Sequence, residues 1–188
     1  MAHRAKQMRQ LLIEAGIVEI NSNGVAAFSV RRVAAACGVS CAAPYKHFMD
    51  KREFIAAIVE YVNGQWEARQ EEIVAACTGG LQAQLVEIAV GYLRFLMERP
   101  WFRSILMHKD DQFDSLYHRF RVSGRTQLLQ ERFFMESGWE PEKARRKIHI
   151  VRAILFGTVF LIDTGELTYS EEVVASFRSA VDREFNLP

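Results

Sequence analysis

The sequence predicts an all-α protein, and three observations carry that reading. Apolar residues recur at the three-to-four-residue spacing of a helix face along almost the whole chain. Only four prolines interrupt its 188 residues. No stretch shows the strict alternation of a half-buried strand, and no internal repeat or low-complexity segment stands out.

The elements follow in order. Residues 4–21 form a first helix, with Met8, Leu11, Leu12, Ala15 and Val18 along one face. Arg4, Lys6 and Arg9 sit on its first turns, and Asn21–Gly24 is its stop. Ser29 is a good N-cap for a second helix over Val30–Ala36. Its inner face takes Val30, Val33, Ala34 and Cys37, which leaves Arg31 and Arg32 pointing outward or sideways. Gly38 ends that helix, because so tight a turn calls for positive φ. Val39 can plug the angle, and Ser40 can cap a short third helix over Cys41–His47. Pro44 removes only an early backbone bond there, which costs less than the ~3 kcal/mol of an interior proline.

Asp50, with Glu53 three residues on, caps a long fourth helix over Lys51–Ala76. Thr78–Gly80 is a break, and a fifth helix over Leu81–Arg99 stops before Pro100. The pattern then predicts helices over Trp101–Met107, Phe113–Ser137, Glu142–Thr164 and Ser170–Asn186, with a turn at Gly138–Pro141. His108–Asp111 carries metal-ligand chemistry but reads as a polar loop, so no metal site and no cofactor are expected.

Charge is distributed unevenly. Residues 1–52 hold eight Lys and Arg against three acids, and the rest holds sixteen against twenty, although the whole chain is only +1. A basic head on an acidic remainder suits a nucleic-acid-facing module. Three cysteines, Cys37, Cys41 and Cys77, argue against a disulfide framework and for a reducing, cytoplasmic setting. Nothing at the N-terminus reads as a signal peptide. The densest apolar run, Ile148–Ile162, is too short for a membrane span and contains His149 and Arg152.

The pattern Ser29, Ala34, Gly38-Val39-Ser40, Tyr45, His47-Phe48 and Lys51 resembles the DNA-binding domain of TetR-family transcription regulators, specifically over about residues 8–60. The resemblance implies a three-helix helix-turn-helix domain over residues 1–50. It implies a helical effector-binding and dimerisation domain over residues 51–188. It implies a double-stranded DNA operator, a small-molecule effector and a homodimer as partners, and no membrane. Ser29, Ser40, Tyr45, His47 and Lys51 fall where that family grips phosphates, and hydroxyls with free backbone N–H groups suit an anion. Arg31, Arg32, Cys41, Ala42, Ala43 and Lys46 complete the expected DNA-facing set. Cys41, Ala42 and Ala43 offer almost no hydrogen bonding, so direct base reading falls to Arg31 and Lys46.

In the second half, Ile148–Ile162 is apolar on nearly every side, which asks for burial on more than one side. One side can face its own domain and another a second copy. Leu155, Gly157, Val159, Ile162, Phe177 and Val181 are the expected dimer contacts. Phe95, Trp101, Met107, Tyr117, Phe120 and Phe134, with His108, Arg121, Gln127 and His149 as polar groups, are the candidate lining of a pocket for an apolar or aromatic effector. The expected output is repression from a palindromic operator, relieved by the effector. Two rival classes remain at this stage. An all-α enzyme finds no nucleophile–base pair, HExxH pattern or phosphate loop in the sequence. A helical protein-interaction module that never touches DNA leaves the charge asymmetry unused.

Overall fold

The computed structural model describes residues 2–107 and 124–187. Among them are eight α-helices and one 3-10 turn, and no strand. The helices are α1 (Ala2–Asn23), α2 (Val30–Ala36), α3 (Lys51–Ala76), α4 (Leu81–Met97), α5 (Pro100–Met107), α6 (Gly124–Ser137), α7 (Pro141–Asp163) and α8 (Glu171–Asn186). The all-α expectation holds, and the bounds of α2 and α3 are those the sequence predicts.

The third helix is a correction. Residues 41–47 do not form an α-helix; they form a turn closed by the 3-10 segment Pro44–Lys46. The backbone bonds there run to the third residue back, from Ala43 N–H to Ser40 O (2.9 Å), Lys46 N–H to Ala43 O (3.1 Å) and His47 N–H to Pro44 O (2.9 Å). Pro44 has no N–H with which to start an α-helical ladder, and a segment this short cannot offset the loss. Of the helix expected over Phe113–Ser137, the part before Gly124 lies outside the described residues.

The described residues fall into two compact units. The first is built on residues 2–65 with 99–107, so it holds α1, α2, the 3-10 turn, the start of α3, and α5. Its core is Leu12, Ile13, Ile20, Phe28, Val33, Ala34, Phe48, Phe54, Ile55 and Ile58, all nearly closed to solvent. Phe48 stacks on Phe54 at 4.0 Å between ring centroids, and Phe28 meets Phe54 edge-on at 5.4 Å. These pairs add to plain area burial. Gly16 lets α1 close on α3, since a Cβ there would stand 2.6 Å from Ile58 Cδ1.

The second unit is built on residues 66–98 with 124–187. Trp66 packs against Tyr92 and Phe95 at 4.8 and 5.3 Å. Burial there pushes the Tyr92 hydroxyl up to about 12. Three polar links tie α4 to α8: Gln82 to Asp182 (2.9 Å), Arg94 to Glu171 (2.6 Å), and the Arg178–Glu87 ion pair. Phe133 bridges Trp139 and Phe185 at 5.3 and 5.4 Å. Among the described residues no helix is long and apolar enough to cross a membrane.

Candidate nucleic-acid interface

The corner after α2 is fixed by its backbone. Ser29 caps α2 in extended conformation, its Oγ accepting from the Arg32 N–H at 3.4 Å. At the other end, Val39 N–H returns to Ala34 O and Gly38 N–H to Ala35 O, both at 3.0 Å. That double return is a Schellman motif, and it requires Gly38 at φ +66°. It throws the chain out of α2 into the 3-10 turn. Buried Pro44 and Phe48 pin the turn from beneath, while Arg9 covers the Phe48 ring at 5.3 Å.

Asp50 then starts α3. Its carboxylate accepts from the Glu53 N–H at 2.7 Å, and the Glu53 carboxylate reaches back to the Met49 N–H. The Asp50 half is the cap that the spacing predicts, and the Glu53 half reaches the N–H one residue before that cap.

Most of the predicted DNA-facing residues lie open on this framework. Arg31, Ser40, Cys41, Ala42, Tyr45, Lys46 and Lys51 are exposed, and Ser29, Ala43 and His47 are half-buried. Tyr45 is 56% exposed although aromatic, and Met49 beside it is 84% exposed. The Lys51 ammonium donates to Ala26 O at 3.3 Å, so it is held over the loop that leads into α2. Half-buried Cys37 lies with its Sγ 3.8 Å from Leu11 O, and burial pushes its thiol up. It is therefore a packing residue rather than a ready thiolate.

Arg32 is placed differently from its neighbour. Its Nε donates to Glu19 Oε1 at 2.8 Å, Nη2 pairs with the same oxygen, and Nη2 also donates to Ala27 O at 2.6 Å. Glu19 was legible in the sequence only as one acid of three in the head. The signal that marks it is an acid on the inner face of α1, between Ile13 and Ile20, facing a helix with an arginine in reach.

The expected effector and dimer residues separate on inspection. Phe95 is buried in the second unit and Trp101 in the first, at 3% and 7% exposed. Phe134 is half-buried, and Gln127 and His149 are exposed on α6 and α7. Met107 is described only as helix backbone; His108, Tyr117, Phe120 and Arg121 lie outside the described residues. Leu155, Val159, Phe177 and Val181 are buried within the second unit rather than on its surface. The helical period marks these positions as apolar but does not say which apolar stripe meets the chain's own helices. Gly157 is exposed and Ile162 half-buried.

A capped helix and a glycine-centred tight turn, followed by a basic, hydroxyl-bearing segment ahead of a long helix, make a helix-turn-helix-like corner. Residues 12–58 match the sequence model of the bacterial regulatory proteins, tetR family. Those residues carry the sequence signature of that family's DNA-binding domain, which supports a DNA-binding transcriptional regulator. Its fold is shared by a protein of unknown function from Rhodococcus sp. RHA1, at 24% identity over 93% of each chain with a TM-score of 0.71. It is shared by a TetR variant from Acinetobacter baumannii AYE in complex with minocycline, at 19% identity over 93% of this chain and 92% of that one, TM-score 0.63. A transcriptional regulator of the TetR/AcrR family from Thermobifida fusca YX-ER1 shares it too, at 18% identity over 94% and 97%, TM-score 0.65. No curated protein sequence matches the chain.

Proposed function

We propose that this regulator is a homodimeric repressor that occupies an approximately palindromic operator and leaves it when a small apolar or aromatic effector binds. Residues 1–50 grip DNA, and residues 51–188 bind the effector and pair the subunits. Ser29, Ser40, Tyr45, His47 and Lys51 hold phosphates. Arg31 and Lys46 read base edges, and Cys41, Ala42 and Ala43 lie against thymine methyl groups.

The observation that carries the DNA half is the joint exposure of Arg31, Ser40, Tyr45, Lys46 and Lys51 around one rigid corner. A twofold dimer would place two such corners about one helical turn of DNA apart, which is why a near-palindrome is expected. The pairing half is supported by one face of α7, where Ile150 (37% exposed), Gly157, Phe160 (53%) and Leu161 (39%) lie open to solvent. Together they make an apolar stripe that a second copy could cover. The neighbour solved with minocycline supports a small-molecule effector, and buried Phe95 and half-buried Phe134 support an apolar or aromatic one. Helix α3 carries residues of both units as one continuous helix. An effector that favours one state of α3 competes with DNA by differential affinity, typically 1–3 kcal/mol.

Selection of bound sequences from random duplex DNA by the purified full chain tests the reading. A two-fold-symmetric consensus is the expected result. Enrichment of a single half-site, or of nothing, would overturn it. Light scattering at micromolar concentration should give twice the 21.6 kDa chain mass.

A further inference from the structure

Two arginines leave α2 side by side, and only one of them is available to a ligand. Arg31 is exposed, and among the described residues no hydrogen bond or ion pair holds it. Arg32 spends Nε and Nη2 on Glu19 and Ala27 O. Glu19 collects more than that guanidinium. Its Oε1 also accepts the Ser29 backbone N–H at 3.3 Å, and its Oε2 accepts the Asn23 side-chain amide at 3.1 Å. One carboxylate therefore ties the end of α1, the cap of α2 and the first turn of α2 together. We propose that Glu19 is a positioning residue for DNA binding, which orients the first turn of α2 and withdraws Arg32 from the DNA-contacting set, leaving Arg31 as the arginine of α2 that reads DNA.

The physical argument is an asymmetry of costs. Glu19 is only 9% exposed, so a phosphate that drew Arg32 away would strand a carboxylate in a poorly solvated place. Arg31 gives up only water. The Glu19–Arg32 pair is also internally neutral, so α2 presents one net positive charge to DNA rather than two. Ser29 is left in a useful state. Its Oγ accepts from the Arg32 N–H, and the hydroxyl proton remains free to be donated to a phosphate. The Glu19 contact on the Ser29 N–H sets where that hydroxyl stands.

This inference rests on the DNA-binding reading of the head, and its test separates the two. The full chain is titrated with a fluorescent duplex that it has itself selected, and with random duplex, over a range of salt and well below each variant's melting midpoint. Arg31→Gln should reduce discrimination between the selected and the random duplex about tenfold, as loss of a base-reading arginine does. Arg32→Gln should weaken binding about tenfold with the slope unchanged. Glu19→Gln should also lower discrimination but, by releasing Arg32 to the phosphates, steepen the slope by up to one phosphate's worth, and Glu19→Gln/Arg32→Gln should remove that added slope. The reversed pair Glu19→Arg/Arg32→Glu should recover most of the loss. If Arg32→Gln flattens the salt slope by about one phosphate's worth, near 0.9, or lowers discrimination as Arg31→Gln does, Arg32 is a direct contact and the proposal is wrong. Arg32 is half-exposed, so Arg32→Gln decides even if the Glu19 variants do not fold. A wild-type chain that selects no duplex overturns the DNA-binding reading itself, and the proposal with it.

Discussion

Lys147 and Glu184 form an ion pair at 3.1 Å with side chains only 4% and 10% exposed. The same Lys147 ammonium donates to the backbone carbonyls of Glu184 at 2.8 Å and Leu187 at 3.0 Å. It sits 5.8 Å from the centre of the Trp139 ring. One side chain of α7 therefore neutralises a buried acid of α8 and closes the last turn of that helix. A buried pair of this kind adds little over an apolar pair but is costly to break on one side.

Replacing Lys147 by Met should destabilise the protein by about 3–5 kcal/mol, since it strands a buried carboxylate and two carbonyls. Glu184→Gln should cost clearly less, because the ammonium keeps both carbonyls. Urea unfolding followed by circular dichroism measures both. Equal losses would show that the ion pair, not the carbonyl cap, dominates.

Acid should loosen the head through Glu19. The Arg32 guanidinium holds the Glu19 carboxyl below its ordinary value of 4.5, assisted by the Ser29 and Asn23 contacts and opposed by burial. The folded value is depressed, so the stabilisation is fully present above about 4.5 and is lost as pH falls through the folded value. Glu19→Gln should lower stability by about 1–2 kcal/mol at pH 7. It should also give a shallower fall below pH 5 than wild type in melts across that range.

Gly16→Ala sets two effects against each other. Alanine gains up to ~1 kcal/mol of helix propensity over glycine. The new Cβ meets Ile58 Cδ1 at 2.6 Å and Phe54 at 3.4 Å, and both partners are fully buried. Overpacking of that kind typically costs about 1–3 kcal/mol, so a net loss is expected in thermal unfolding.

Gly64 and Gly157 offer a matched pair. Both are exposed within helices, and a Cβ at either meets nothing within 4 Å. Alanine at either should stabilise the subunit by about 0.5–1 kcal/mol. Only Gly157→Ala should also weaken self-association in sedimentation, because the proposed pairing face puts its Cβ between two helices. Phe160→Asp should abolish association while leaving the helical spectrum intact, since the ring is 53% exposed in the subunit.

Arg31→Ala should weaken binding to the selected operator by about 1–3 kcal/mol more than binding to random duplex. Competition titrations measure the difference. Equal loss on both would make Arg31 a phosphate contact and leave base reading to Lys46 and DNA shape.

Much of the architecture was legible without coordinates, for local reasons. Ser29 as a cap, Gly38 as a stop and the Asp50/Glu53 spacing act within a few residues of themselves, and the bounds of α2 and α3 follow from them. The short segment after Ser40 was the exception. Its apolar and small residues suit a helix, but the missing N–H of Pro44 and the burial of Pro44 and Phe48 make a 3-10 turn instead.

By itself, then, the sequence determined the helical class, the capped start of α2 and its glycine stop, because helical period, capping and turn chemistry are short-range. Only the tertiary structure decided that Arg31 is open while Arg32 is tied to Glu19, thirteen residues away. It likewise decided that Leu155 and Val159 turn inward while Phe160 and Leu161 stay exposed. The physical reason is the same in both cases. A helix fixes which residues share a face, but which face or which charge finds a partner depends on helices brought together from far along the chain.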